Sequence, residues 1–322
     1  LNGYAIGLDI GGTNMVAGIV NSSGKIISRQ SVPSESRRGH EDGLRRISEL
    51  IDVVLASANL TAEQTAGIGI GSTGPINTAK GLIQNPYTLP GWEDLPIGDY
   101  LTNRFHLPTY LIGDCQVAAL GEHWMGAGKG SRHMIYITVG TGIGSGLILN
   151  GNLYAGMRFL GGEIGHHVID VNGPSCYCGA KGCWEMLAAA PAIARIAAEN
   201  APENGLLMQL ANHAKEQITA ALVSKAAVQG DAYAGEIMRQ TGYYLGVGLA
   251  NLMNIFAPEM VVMGGGVMGS WDMLSPIMFE TIHERAGMMP FHEIKIVPAQ
   301  LGLNAGITGA ARAVLDYLDR NV

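Results

Sequence analysis

Charge is scarce in this sequence. Of its 322 residues only 15% are Asp, Glu, Lys or Arg, too few for a chain that stays solvated and disordered. A positive excess is missing altogether: 20 Lys and Arg stand against 27 Asp and Glu, a formal charge of -7. That balance argues against a surface that grips nucleic acid phosphates broadly. Cysteine is rare, at positions 115, 176, 178 and 183, and three of the four fall close together. Such clustering does not make a disulfide framework, and a reduced cytoplasm is expected. The opening residues LNGYAIGLDIGG hold no basic segment followed by an apolar one, so no leader is expected. No long uninterrupted apolar run exists either. The longest, Leu245 to Gly269, is broken by Asn251, Asn254, Pro258 and Glu259 and reads as a buried helix followed by a strand.

What is present is core and glycine. Apolar residues make up 47%, and the length suits two domains. The 46 glycines show no Gly-X-Y repeat; they cluster in short turns, as in chains whose backbone comes close to a ligand.

Along the chain, 4–10 and 14–20 read as strands about the Gly11-Gly12 turn, and Asn21 to Gly24 turns into a third strand. Leu44, Ile47, Ile51, Val54 and Leu55 lie at helical spacing within 41–58. A strand at 66–71 and an irregular Gly- and Pro-rich stretch at 72–100 follow. A strand at 107–112 then runs into Asp114 and a helix. The opening unit recurs. Leu8 to Gly12 aligns with Ile137 to Thr141, and Gly18 to Asn21 then falls on Leu147 to Asn150 without a gap. This predicts an α/β domain built twice, with a cleft between the copies. Helices are expected at 184–199, 216–228, 231–257 and 305–320, with strands at 259–263 and 293–299. No low-complexity linker separates the halves, so a boundary near 113 is a hinge.

Three glycine-rich turns each follow an apolar strand: 9–14 (DIGGTN), 138–144 (TVGTGIG) and 263–267 (MGGGV). Backbone N–H groups in such turns converge on phosphate oxygens, and Thr13 and Thr141 add hydroxyls. The P-loop Gly-Lys-Ser/Thr is absent, and the Rossmann spacing is not met at 9–14. A nucleotide clasped by several turns is the expectation. Asp9 would then stand beside the phosphates, placed to hold Mg²⁺. Asp114 ends a strand and begins a helix, where it can serve as N-cap and as a general base for phosphoryl transfer.

His166, Cys176, Cys178 and Cys183 give H-x9-C-x-C-x4-C. Three thiolates and one imidazole complete a tetrahedral Zn²⁺ with no open position, hence a structural metal. His167 is the alternative imidazole. Glu163 and Glu185 flank this knot and could accept from polyol hydroxyls.

Taken in order, these motifs resemble the ROK family of sugar kinases and repressors. The resemblance runs through 9–14, 138–146, 160–170 (LGGEIGHHVID), 176–185 (CYCGAKGCWE), 263–267 and 301–311 (LGLNAGITGAA), nearly the whole chain. It implies an actin-like, ribonuclease H-like pair of α/β lobes. One would hold 1–113 with 304–322, the other 114–303 with the zinc. It implies an ATP-dependent kinase with Mg²⁺ that phosphorylates the 6-hydroxyl of a hexose, glucose by default, with Asp114 as base. Nucleotide binding would fall to Asp9, Gly11, Gly12, Thr13, Asn14, Thr141, Gly142, Gly265 and Gly266. Sugar binding would fall to Gly74, Thr88, Gly113, Asp114, Glu163, His166 and Glu185. Lobe closure on sugar would exclude water. A cytoplasmic homodimer or homotetramer is expected, without nucleic acid or membrane as partner.

Two departures bear on the substrate. The family usually has Asn-Asp where this chain has Gly113-Asp114, and often Pro-Asn-Leu-Pro-Gly-Trp where it has Tyr87-Thr88-Leu89-Pro90-Gly91-Trp92. Each change removes or shortens a hydrogen-bonding group worth about 0.5–1.5 kcal/mol. An N-acetylmannosamine or N-acetylglucosamine kinase is therefore the alternative. A sugar-sensing regulator is a further one, although no DNA-binding domain is expected ahead of Asp9.

Overall fold

Asn21 shows how local chemistry sets the first turns. Its side-chain oxygen accepts from Ser23 N at 3.1 Å and Lys25 N at 2.9 Å, which bends the chain back at the predicted hairpin. The computed structural model describes residues 3–84 and 88–320. Its elements are β1 (Tyr4–Ile10), β2 (Asn14–Asn21), β3 (Ile26–Pro33), α1 (His40–Ser57), β4 (Ile68–Ser72), β5 (Ile76–Asn77), β6 (Leu82–Ile83), α2 (Ile97–Phe105), β7 (Thr109–Gly113) and α3 (Asp114–Met125). There follow β8 (Met134–Val139), β9 (Ile143–Leu149), β10 (Asn152–Leu153), α4 (Glu185–Ala188), α5 (Ala190–Glu199), α6 (Leu206–Leu210), α7 (Ala220–Val228) and α8 (Ala232–Phe256). Last come β11 (Met260–Gly264), α9 (Trp271–Arg285), β12 (Lys295–Pro298) and α10 (Ala305–Arg320).

The first sheet has the order β3-β2-β1-β4-β7 and the second β10-β9-β8-β11-β12. Both read third, second, first, fourth, fifth. In the first, β1–β2 and β2–β3 are antiparallel while β1–β4 and β4–β7 are parallel. In the second, β9–β10 is antiparallel and β11–β12 parallel. The duplicated α/β unit read from the glycine turns is thus present as topology.

The chain divides into two compact units. Among the described residues, one holds 3–136, 146–162 and 299–320, the other 137–145 and 163–298.

In the first unit a core of fully buried Ile6, Leu8, Ile10, Ile47, Ile51 and Ile70 forms between β1, β4 and the apolar face of α1. On the other side α10 lies almost on the sheet. A Cβ at Gly7 or Gly69 would run into the carbonyl of Ile307 or Ala310, so only glycine admits the helix there. In the second unit the long α8 packs against α9 and α7.

Within 72–100 the described residues hold more regular structure than expected. It contains the β5–β6 hairpin, paired Ile76 with Ile83, and the start of α2. Ile97, Leu101 and Phe105, four apart, are the buried face of α2. Helix α6 is a second addition. Tyr87 lies outside the described residues. No helix among the described residues is long and apolar enough to cross a membrane.

Candidate active site

The parallel strands of the first sheet end together. Ile10 pairs with Ser72 and Ser72 with Gly113, so the turn at 11–14, the segment through Gly74 and the start of α3 leave the sheet at one edge. In open α/β sheets ligands bind outside these carboxyl ends.

Asp114 is the first residue of α3. The N-cap is Gly113, not Asp114 as the sequence suggested, because Gly113 keeps extended backbone (φ -65°, ψ 147°). The Asp114 carboxylate still satisfies a free N–H of the first turn, accepting from Cys115 N at 2.7 Å. Burial pushes the Asp114 carboxyl above the ordinary carboxylate range, although the Cys115 N–H opposes this. Gln116 Oε1 accepts from Gly113 N at 3.2 Å and so fixes the peptide that carries Asp114.

Asp9 faces the same end. Its pKa is pushed up to about 7, first by burial and then by the negative charge of Asp114. Gly306, early in α10, packs so closely on this carboxylate that a Cβ would collide with it. The two predicted acids therefore stand in one electrostatic neighbourhood, each resisting ionisation.

The first glycine turn is closed by Gly11 N donating to Asn14 O at 3.0 Å, and Ser34 N holds Thr13 O at 2.8 Å. Gly12, Thr13 and Asn14 are exposed. Thr88 packs on Gly12, where a Cβ would approach its own to 2.8 Å, and its hydroxyl donates to Thr73 Oγ1 at 3.2 Å. Gly12, Thr88 and the segment beside Gly74 are thus brought together.

In the second unit Gly140 N donates to Gly142 O at 2.9 Å, leaving Thr141 exposed at the tip. Glu185 locks this turn: its Oε2 accepts from Ile143 N at 2.8 Å, and the same oxygen leaves no room for a Cβ at Gly142. Gly265, at φ +90°, packs on the backbone of Val139, so the turns holding Thr141 and Gly265–Gly266 are neighbours.

His166, Cys176, Cys178 and Cys183 converge, with their ligand atoms all within 4.8 Å of one another. Cys176 Sγ lies 3.6 Å from His166 Nδ1, and Cys178 Sγ lies 3.5 Å from Cys183 Sγ. The edge of a tetrahedron with Zn–S bonds of 2.3 Å is about 3.8 Å, so the donor set fits zinc in number, type and spacing. None of the thiols is in a disulfide. Burial pushes the Cys183 thiol up to about 12, while Cys178, hydrogen-bonded to the Ala180 backbone, is lowered. His167 is turned elsewhere: Nδ1 meets Ile164 O, Nε2 lies 3.5 Å from Asn251 Nδ2, and the ring abuts Trp184 edge-on. Of the two candidate imidazoles, the cluster contains His166.

Sequence reasoning passed over Tyr177, which lies between two of the cysteines. Its hydroxyl is 3.2 Å from His166 Nε2 and is hydrogen-bonded to Glu185, with the charge of Glu163 also acting on it. Three predicted sugar-binding residues thus gather about one exposed tyrosine. Ser34, Thr73 and Gln116 were passed over too, since only the fold brings them to the turns they hold.

A family model described as "ROK family" matches residues 5–316. A protein named glucokinase from Halalkalibacterium halodurans is 36% identical over 95% of this chain and 93% of its own length. The xylose repressor of Bacillus subtilis is 28% identical over 98% of this chain and 78% of its own. Among solved structures, a ROK hexokinase from Thermus thermophilus superposes with a TM-score of 0.83 at 32% identity, over 98% of this chain and 99% of that one. A ROK glucokinase from Streptomyces griseus, in complex with glucose and AMPPNP, gives 0.80 at 30% identity, over 96% and 98%. The mixed α/β fold is accordingly the actin-like one of these kinases.

Proposed function

Since the chain belongs to the ROK family, we propose that this protein is an ATP-dependent sugar kinase that transfers the γ-phosphate to the 6-hydroxyl of a hexose, with glucose the first candidate. The observation that carries this reading is the pair Asp9 and Asp114 at the carboxyl ends of the first sheet. A base must accept a hydroxyl proton while the oxygen attacks phosphorus, and a carboxylate whose pKa is raised accepts it more readily. Asp114 has that property and a rigid mount at the start of α3.

On the first unit, Gly11, Gly12, Thr13 and Asn14 would hold phosphate oxygens, while Gly74, Thr88 and Gly113 would face sugar. On the second, Thr141 and Gly142 would meet phosphates and Gly265 and Gly266 the adenosine. Glu163, His166 and Glu185 would take sugar hydroxyls. Asp9 would hold Mg²⁺, which neutralises phosphate charge when bound. His166, Cys176, Cys178 and Cys183 would hold a structural Zn²⁺ that fixes the flanks of Glu185. The free thiols and the clustered donor set are consistent with a reducing, cytoplasmic setting.

A second reading is an N-acylhexosamine kinase. It is favoured by Gly113, where an added Cβ would meet nothing nearer than Gln116 Oε1 at 3.6 Å. Glycine is not imposed there by crowding, and its missing side chain leaves space. Relatives named repressors raise the further alternative of a sugar-responsive regulator.

The test is ADP release with Mg-ATP against glucose, mannose, allose, fructose, N-acetylglucosamine, N-acetylmannosamine and inositols. Sugar-dependent turnover is expected with one of the hexoses. Preference for an N-acylated sugar would move the assignment to the second reading, and silence across the panel would contradict the kinase.

A further inference from the structure

A cavity of about 810 Å³ opens beside β7, the edge strand of the first sheet, and all its lining belongs to the first unit. One wall is aromatic. Tyr110 stacks on Tyr317 with 4.5 Å between ring centroids and 14° between planes, and Phe159 meets Tyr110 edge-on at 6.3 Å. The rest mixes apolar groups, among them Leu82, Pro108 and Leu111, with one charge of each sign, Lys80 and Asp99. Thr78, Thr102 and Thr109 also line it. The backbone is strained at the same spot: Arg158 and Phe159 both take left-handed conformations, φ 55° and 62°. A phenylalanine there is an outlier, and such outliers gather where ligands are clamped.

We propose that this cavity binds an uncharged hexose or disaccharide and that its occupancy is passed to Asp114. Aromatic rings offer an apolar face to the C–H side of a sugar, while an ammonium and a carboxylate take its vicinal hydroxyls. The absence of net charge in the lining disfavours a phosphorylated ligand. The path to Asp114 is short. Phe159 O accepts from Gln116 Nε2 at 3.2 Å, and Gln116 Oε1 accepts from Gly113 N at 3.2 Å. Gln116 is 5% exposed, so water does not readily replace either bond. Tyr110 stands on the same strand as Gly113. A sugar that prefers one arrangement of the Phe159 backbone thereby changes how Gln116 holds the Gly113–Asp114 peptide. The binding stands on the cavity alone; the regulatory half rests on Asp114 as the base.

The test uses the intact chain, labelled in threonine methyls and backbone amides, titrated with maltose and followed by NMR. Thr78 and Thr102 methyl resonances are expected to shift saturably, with the Gly113 amide moving along the same curve. Tyr317→Ala and Asp99→Asn, both at exposed positions, should each weaken the methyl response at least tenfold. Methyl resonances that do not move, or that move equally in both variants, overturn the site. Methyl shifts with a still Gly113 amide overturn the transmission. Because binding is read directly, a chain that phosphorylates no sugar yet keeps these shifts supports the cavity and removes only the kinase reading. An active kinase without them overturns the cavity alone.

Discussion

Asp9 sits at an unfavourable place for a negative charge, half-buried near a strand end with Asp114 nearby. Its pKa of about 7, against 3.8 for the ordinary group, means that the folded chain holds this proton across a window in which the unfolded chain has released it. The stabilising contribution is therefore full below about pH 4 and is lost as pH rises through about 7. Without ligand, Asp9→Asn should remove that part of the pH dependence of Tm, the remaining slope belonging to other groups. If Asp9 holds Mg²⁺ as proposed, Mg-nucleotide needs the ionised carboxylate. Its affinity, read by calorimetry, should rise up to about tenfold per pH unit below 7 and level off above, and Asp9→Asn should lose both slope and affinity. Tyr177 yields a second prediction at this scale. Its hydroxyl occupies His166 and Glu185, groups proposed to take sugar hydroxyls. Tyr177→Phe should lower the sugar KM about two- to tenfold with kcat little changed, the worth of one such hydrogen bond. A raised KM would show instead that the hydroxyl itself binds sugar. Asp9, Asp114 and the cysteine knot were legible because each is marked by its immediate neighbours in the chain. Tyr177, Ser34, Thr73 and Gln116 were not, since each acts on a residue that only the fold brings near.

Elements follow the same division between local and distant causes. The strands around the glycine turns and the long helices α1, α8 and α10 carry periodicity strong enough to be placed from sequence. Helix α2 was hidden although Ile97, Leu101 and Phe105 have helical spacing. It is nine residues long and follows a stretch rich in Gly and Pro, which masked the pattern. The reason for glycine within β1 and β4 was also invisible. Position 69 faces the α10 carbonyl of Ala310, and nothing within the strand announces it. Gly69→Ala should therefore destabilise the chain by about 3 kcal/mol or more in denaturant unfolding, far beyond a propensity effect. An unchanged midpoint would mean that α10 does not press on the sheet as described.

At the scale of the whole molecule, the repeated turn pattern anticipated the shared strand order of the two sheets, because each copy keeps its turns at the same strand ends. The convergence of His166, Cys176, Cys178 and Cys183 is the other large feature readable in advance. Cys178→Ser should lose zinc, counted by elemental analysis at about one per wild-type chain, and lower Tm with it. Wild-type protein without zinc would remove the proposed support of Glu185. The central claim remains that this fold moves a phosphoryl group with Asp114 as the base. Its most direct test is sugar-dependent ADP release by wild type and Asp114→Asn, with sugar binding measured alongside. The account predicts that the variant still binds sugar and loses turnover by about two to four orders of magnitude. Turnover at the wild-type rate in Asp114→Asn would contradict it.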